Sequence, residues 1–252
     1  MKSYPFIPDR EIPMDPQEGE PFNARAVACR LLRHSRNVAL ATIDRINGFP
    51  YSTVTNLSIE PDGSPVFYMS GLSHHGKNIL ADNRISMTLA EFNGSDVLRG
   101  SRLTLVGCAS CLRDHERELS LARYRRKFFR ATRYLELNDT LLVRMTVSDL
   151  FLNGGPAQYS DDLHLDSIRV SLRGAEMLTR HEEDLISFLE QNPDRLAPFL
   201  AKAGGVRRRW RLATIDPEGM DFASEDQNIR IAFNQRITTP EGLLRYLDGI
   251  RA

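Results

Sequence analysis

From Ser70 to Asn78 the chain reads Ser-Gly-Leu-Ser-His-His-Gly-Lys-Asn, a serine placed to cap a helix with two imidazoles and an ammonium in the turn that follows. A helix N-terminus presents unsatisfied N–H donors and the positive end of its dipole, so Ser73, His74, His75 and Lys77 form a candidate cradle for a phosphate dianion. The same residues also suit a bare capped helix with solvated charges. Histidine is only partly charged near neutral pH, which makes the two imidazoles weaker anion partners than arginines.

Other reactive residue types are less promising. Cys108 and Cys111 have redox or metal spacing, but on a strand residues three apart point to opposite faces, so neither a disulfide nor a shared metal is expected. His181 shares a helical face with Leu178 and Leu185, the usual setting of a hydrogen-bonded structural histidine, and His164 lies in a polar linker. The basic clusters Arg123, Arg125, Arg126, Lys127, Arg130, Arg133 and Arg207, Arg208, Arg209 read as solvated faces. A Gly-x-Ser-x-Gly elbow, a His-Glu-x-x-His helix and a Gly-x-Gly-x-x-Gly turn are all absent.

The elements that must position these residues follow from periodicity. Residues 1–21 are rich in Pro, Asp and Glu and read as an irregular arm. Asn23 caps a helix whose Ala24, Val27, Ala28 and Leu31 make a core-facing stripe ending near His34. The period then changes to two, giving strands at Val38–Asp44 and Tyr51–Ile59 around the hairpin signal Asn47-Gly48, and a third at Val66–Met69. After the short helix begun by Ser73 come strands at Ile85–Ala90 and Leu103–Cys111, a charged helix from Asp114 to Thr132, and strands at Leu141–Val147 and Leu150–Asn153. Six or seven mostly antiparallel strands indicate a barrel or sandwich. From about residue 165 the pattern changes to a compact α+β module. It has a helix through Leu178, Leu185 and Leu189 that stops at Asn192-Pro193, a shorter helix to Gly204-Gly205, alternating segments either side of Asp216-Pro217-Glu218-Gly219, and a last helix opened by Thr239-Pro240.

Composition bounds the rest. The chain has 252 residues, 41% hydrophobic and 26% charged, as expected of a folded globular protein. Its 33 basic and 33 acidic side chains cancel, so no global field draws it to nucleic acid or an anionic membrane, and any bound anion must be held locally. Apolar runs such as Val38–Ala41 are far shorter than the roughly 20 residues that span a bilayer. With no apolar leader after Met1 and three cysteines, Cys29, Cys108 and Cys111, a cytoplasmic protein is expected.

Several segments in order, Asn37-Val38-Ala39-Leu40-Ala41-Thr42, Gly48-Phe49-Pro50-Tyr51-Ser52-Thr53, Asp62-Gly63-Ser64-Pro65, Ser70 to Asn78 and Arg102-Leu103-Thr104-Leu105-Val106-Gly107, resemble the pyridoxamine 5′-phosphate oxidase-like FMN-binding split barrel. Met177 to Leu185 and Ile215 to Asp221 are similar to the C-terminal module of its heme-utilisation, HugZ-like branch. The resemblance implies a mainly β fold, a six- or seven-stranded split β-barrel at residues 22–160 followed by a smaller C-terminal α+β domain at 165–252. It also implies a homodimer with small-molecule cofactor sites between its subunits. FMN phosphate would lie on Ser73, His74 and His75 with help from Lys77, its ring along Ser52, Thr53 and the Tyr68 to Ser70 end, and Arg102 near the pyrimidine edge. His181 matches a histidine of the module and is a heme-iron candidate, although Arg180 replaces the aspartate usually beside it. True pyridoxamine 5′-phosphate oxidases carry arginine and lysine where this chain has Ser52, Thr53 and Asn56, so vitamin oxidation is not expected. Two functions follow: an FMN- or heme-binding oxidoreductase, or a noncatalytic heme- or flavin-sensing protein that kept the barrel.

Overall fold

A computed structural model describes residues 23–90, 96–135, 137, 139–155, 158–159, 163–202 and 209–249, so the expected arm, Gly204-Gly205 and the Arg207-Arg208 pair lie outside the described residues. Helix α1 (Ala24–His34) precedes strands β1 (Asn37–Ile43), β2 (Pro50–Ile59) and β3 (Pro65–Ser70), helix α2 (His74–Ala81), β4 (Arg84–Ala90) and β5 (Arg102–Cys111). Helix α3 (Asp114–Lys127), the single turn α4 (Thr132–Leu135), β6 (Thr140–Gly155) and β7 (Gln158–Tyr159) follow. A short α5 (Leu165–Ile168) leads to α6 (Glu176–Arg180), α7 (Glu182–Gln191), α8 (Ala197–Lys202), β8 (Arg211–Asp216), β9 (Gly219–Ala223), β10 (Asn228–Ala232) and α9 (Pro240–Gly249).

The first sheet runs β3-β2-β1-β4-β5-β6-β7, and a further antiparallel pairing of β3 with β6 closes six strands into a barrel that leaves β7 as an appendage. Closure depends on β6, which is one strand of 16 residues where the sequence suggested two. Its first residues pair with β3, Thr140 opposite Ser70 and Arg144 opposite Val66, while residues from Val143 to Asn153 pair with β5. The kink read as a break is absorbed by a register shift between Val106 and Gly107 on β5.

Alternation decides what each strand buries. Leu40, Leu57, Phe67, Met87, Leu105 and Met145 fill the barrel, and α1 packs Ala28, Leu31 and Leu32 against them. Strand β3 is buried on both faces: Phe67 and Met69 point inward, while Val66 and Tyr68 lie under Leu121, Tyr124 and Phe128 of the α3 segment. The C-terminal module has its own core, in which Leu178, Leu189 and Leu243 join Ile215, Met220 and Phe222 of the three-stranded sheet. The helix expected from Leu178 to Leu189 is two helices, and His181 is both the last cap of α6 and the first cap of α7. It therefore stands at a corner and not on an apolar stripe.

The module docks on α1 and α3 through buried charge, which corrects the reading of Arg123, Arg126 and Lys127 as a solvated face, while Arg125 and Arg130 are exposed as that reading expects. Arg123 lies between Glu60 at the end of β2 and Glu182 at the start of α7, the latter 2.7 Å away, and Arg126 stands 3.5 Å from the same Glu182. Arg33 reaches Asp216 and Asp221, both at 3.3 Å, and Arg230 holds the same two aspartates at 2.8 and 3.1 Å. Lys127 is buried and donates to the Ser35 carbonyl at 3.0 Å. Among the described residues no helix is long and apolar enough to cross a membrane.

Candidate functional site

Helix α2 forms as the sequence suggests and is anchored at both ends. The Ser73 hydroxyl accepts from the Gly76 N–H at 3.1 Å and donates to the Ser70 carbonyl at 2.6 Å, which folds the turn back on the end of β3. That fold leaves no room at position 76, where a Cβ would stand 2.3 Å from the Ser70 carbonyl oxygen. Gly76→Ala is therefore expected to cost at least about 2 kcal/mol, because the contact is with backbone that cannot swing aside. Urea unfolding measures this, and an unchanged midpoint would show that α2 does not approach β3 this closely. Further along, the buried Asn78 amide donates to Thr42 Oγ1 and accepts from the Arg45 N–H, fixing α2 to β1 and its hairpin.

The first turn meets a carboxylate that sequence reasoning missed. His74 Nε2 lies 2.5 Å from Asp44 Oδ2, and the His74 ring packs on Tyr51 with centroids 4.6 Å apart. Asp44 also accepts from the backbone N–H groups of Ile46 and Asn47. Those hydrogen bonds, the Ile46 amide foremost, then His74 and the Asn47 amide, hold its carboxyl below the usual carboxylate range, so it is charged at neutral pH. The signal was present in outline, since Asp44 precedes the Asn47-Gly48 turn, but it read only as a strand end. On the other side the Ser70 hydroxyl donates to the Asp139 carboxylate and accepts from the Leu72 N–H. His75 is pushed toward its neutral form, chiefly by burial and further by His74.

These contacts decide what the turn can hold. The hydroxyl of Ser73 is used within the cap, Ser70 faces Asp139, His74 faces Asp44, and only Lys77 among the expected donors presents an exposed ammonium. Two carboxylates beside the turn oppose a dianion and weaken it as a site for the phosphate of FMN. An imidazole held by a carboxylate and packed against a tyrosine is instead the arrangement of an oriented metal ligand, and the His74 side chain is 44% exposed. Near it in the chain Ile46, Phe49 and Leu72 are 75%, 71% and 69% exposed and offer an apolar rim.

The remaining predicted residues are spread over the barrel. Ser52 pairs with Ala41 and Thr53 with the inward-facing Leu40, so the two point to opposite faces of β2 and cannot both line one ring. Tyr68 is buried under α3, its hydroxyl donating to the Tyr134 carbonyl. Arg102 lies opposite Asn153 near the end of β6, whereas Ser70 lies opposite Thr140 at its start, so Arg102 and α2 occupy opposite ends of the barrel within one chain. His181 has 42% of its side chain exposed and lies 3.4 Å from Asp184, remote in sequence and element from α2. Cys108 and Cys111 are unpaired. Between the two ends, the outward face of β2, β1 and β4 carries Ser52, Val54, Ala39, Ala41, Ser86 and Thr88, small and uncharged, with Val54 74% exposed.

A family model described as CREG, beta-barrel matches residues 20–158. The crystal structure of Atu2129, a protein of unknown function from Agrobacterium tumefaciens strain C58, is 36% identical and aligns with a TM-score of 0.84 over 98% of this chain and 100% of that one. The structure of a heme binding protein from Mycobacterium smegmatis aligns over 91% of this chain and 96% of that one at 21% identity and a TM-score of 0.52, a likeness of fold. No curated protein matches the chain.

Proposed function

Because the chain belongs to the CREG β-barrel family, we propose that it is a heme-binding split-barrel protein that works as a homodimer, with His74 as the residue facing the iron. The Asp44–His74 pair carries this reading. Histidines that ligate metals commonly hand their second ring nitrogen to a carboxylate, which fixes the tautomer and raises the basicity of the free nitrogen. Here Asp44 takes that role at Nε2, Tyr51 holds the ring plane, and Ile46, Phe49 and Leu72 offer apolar surface for a porphyrin face. A bound heme would supply an iron centre able to exchange an electron. The chain's own part is to orient His74 and keep water from its apolar rim. FMN is the weaker reading, since Ser73 and His74 are engaged within the chain and two carboxylates stand beside the turn. Without that flavin, binding or sensing is a better account than flavin-dependent turnover.

The dimer in this reading forms through the middle of the outer face of β2, β1 and β4, where Ser52, Val54, Ala39, Ala41, Ser86 and Thr88 carry no charge and Arg84 stands at the rim. An uncharged patch of small side chains can meet its own copy closely, and a two-fold axis across the strands would bring the Arg102 end of one barrel to the α2 end of the other. Three unpaired cysteines suit a reducing compartment, which supports a cytoplasmic protein in this reading.

Hemin titration followed by the Soret band near 400 nm tests the site. Asp44→Asn is expected to weaken hemin about 10- to 100-fold, as removal of such a supporting carboxylate does, with His74→Ala at least as damaging and His181→Ala without effect. Wild-type affinity in His74→Ala would overturn the assignment, and tight FMN binding would restore the flavin reading. Native mass measurement of the assembly checks the dimer, and a purely monomeric chain would remove it.

A further inference from the structure

A cleft of about 740 Å³ lies away from α2, between α1 and the C-terminal module. This is well inside the range of small-molecule sites, and junctions between domains are where such sites concentrate. Ala26, Leu32, Ile168, Val170 and Phe233 give it apolar surface. Its charged lining is one-sided: Arg25, Arg30, Arg33, Arg169, Arg230 and Arg236, against Glu218 as the one carboxylate among the lining residues.

Not all of these arginines have charge to spare. Arg33 and Arg230 are neutralised from behind by Asp216 and Asp221. Arg25 lies 3.7 Å from Glu218, with its Nε on the Ser167 carbonyl, and Arg169 lies 3.9 Å from Asp166. Arg236 differs. Its two terminal nitrogens donate to the carbonyls of Ser171 and Arg173, both at 2.7 Å, which fixes the guanidinium in place without cancelling its charge. A positioned cation at the edge of an apolar cleft selects one chemistry: an anionic head on a flat or elongated apolar body.

We propose that this cleft is a binding site for a small organic anion, a carboxylate, sulfonate or phosphate carried on an apolar framework, with Arg236 meeting the charge and Phe233 and Ile168 the framework. The site does not rest on the heme reading, because none of its lining residues belongs to the α2 cluster. A ligand seated there touches α1 of the barrel and the loop after β10 of the module at once. Its occupancy would therefore report on both halves of the molecule.

Cys29 gives the test a local reporter. It lines the cleft, whereas Cys108 and Cys111, also unpaired, stand on β5 and do not. Burial pushes the Cys29 thiol up, so alkylation by iodoacetamide is followed at pH near 9, by peptide mass mapping of all three cysteines in the full chain. The probe is 1-anilinonaphthalene-8-sulfonate, with uncharged N-phenyl-1-naphthylamine as its apolar counterpart. At ten times its Kd the sulfonate is expected to slow Cys29 alkylation about tenfold and leave Cys108 and Cys111 unchanged. Arg236 is exposed, so Arg236→Glu should fold and abolish the protection. Ala26→Trp, also at an exposed position, should abolish it by filling the cleft. An unchanged Cys29 rate with the sulfonate, equal protection by the uncharged probe, or full protection in both variants would each overturn the proposal. His74→Ala should leave Cys29 protection intact, which keeps a failure here separate from a failure of the heme site.

Discussion

Arg123→Met is expected to lower the unfolding free energy by about 3–5 kcal/mol, the loss typical of removing one partner from a buried ionic group. Arg123 sits between Glu60 of the barrel and Glu182 of the module, and all three side chains are nearly inaccessible to water. Without the guanidinium, two buried carboxylates confront each other across the junction, and Glu182 keeps only Arg126 and the Ile215 N–H. Methionine restores the volume but not the charge. The deficit should shrink as pH falls, because protonating either acid relieves the repulsion. Urea unfolding at pH 8 and pH 5 measures both effects. The triple variant Glu60→Gln, Arg123→Met, Glu182→Gln should recover much of the loss, since it removes the charges together. A single variant as stable as the parent would mean that water reaches the junction and the module is docked by its apolar contacts alone.

The second large effect belongs to Lys127. Burial, reinforced by Arg36 and Arg33 and opposed by Asp221, pushes its ammonium down to about 7. In the unfolded chain a lysine titrates near 10.4, so between these values the unfolded state binds a proton that the folded state has released. Stability therefore rises with pH through this window, by up to about 1.4 kcal/mol per pH unit from this one group. Below pH 7 both states carry the proton and the cost of burying it is fully present. Lys127→Met removes that cost, so its gain over the parent should be greatest below pH 7 and fade toward pH 10. Chemical unfolding across pH 6 to 10 compares the two, and parallel curves would refute the assignment. The Ser35 carbonyl loses its donor in this variant, which limits the gain by about 1 kcal/mol.

The barrel was legible in the sequence because its signals are local. Asn47-Gly48 sets the first hairpin, the short apolar run Val66–Met69 after the Asp62-Gly63 turn marks a strand, and Ser73 caps α2 as its type and position suggest. What could not be read is whatever depends on partners distant in the chain. Asp44 meets His74 from 30 residues away, and Asp139 meets Ser70 from 69 away, so a turn that looks cationic in sequence carries two carboxylates in space. The α3 arginines failed for the same reason. A run such as Arg123, Arg125, Arg126, Lys127 has no marker that separates solvated from buried positions, and the acids that accompany the buried ones lie in β2 and α7. His181 was misplaced by a local feature instead: helical spacing continued through a residue where the helix in fact ends and another starts.

The double pairing of β6 also orders events during synthesis. Strand β3 offers one bare edge until β6 arrives, and the pairing of Val66 with Arg144 requires about a further third of the chain to leave the ribosome after β3 has done so. At ordinary elongation rates that interval is on the order of ten seconds. Throughout it the nascent chain carries an open strand of Val66, Phe67, Tyr68 and Met69, apolar on both sides, which is a natural hold point for a chaperone and a place where crowded expression would first produce aggregates.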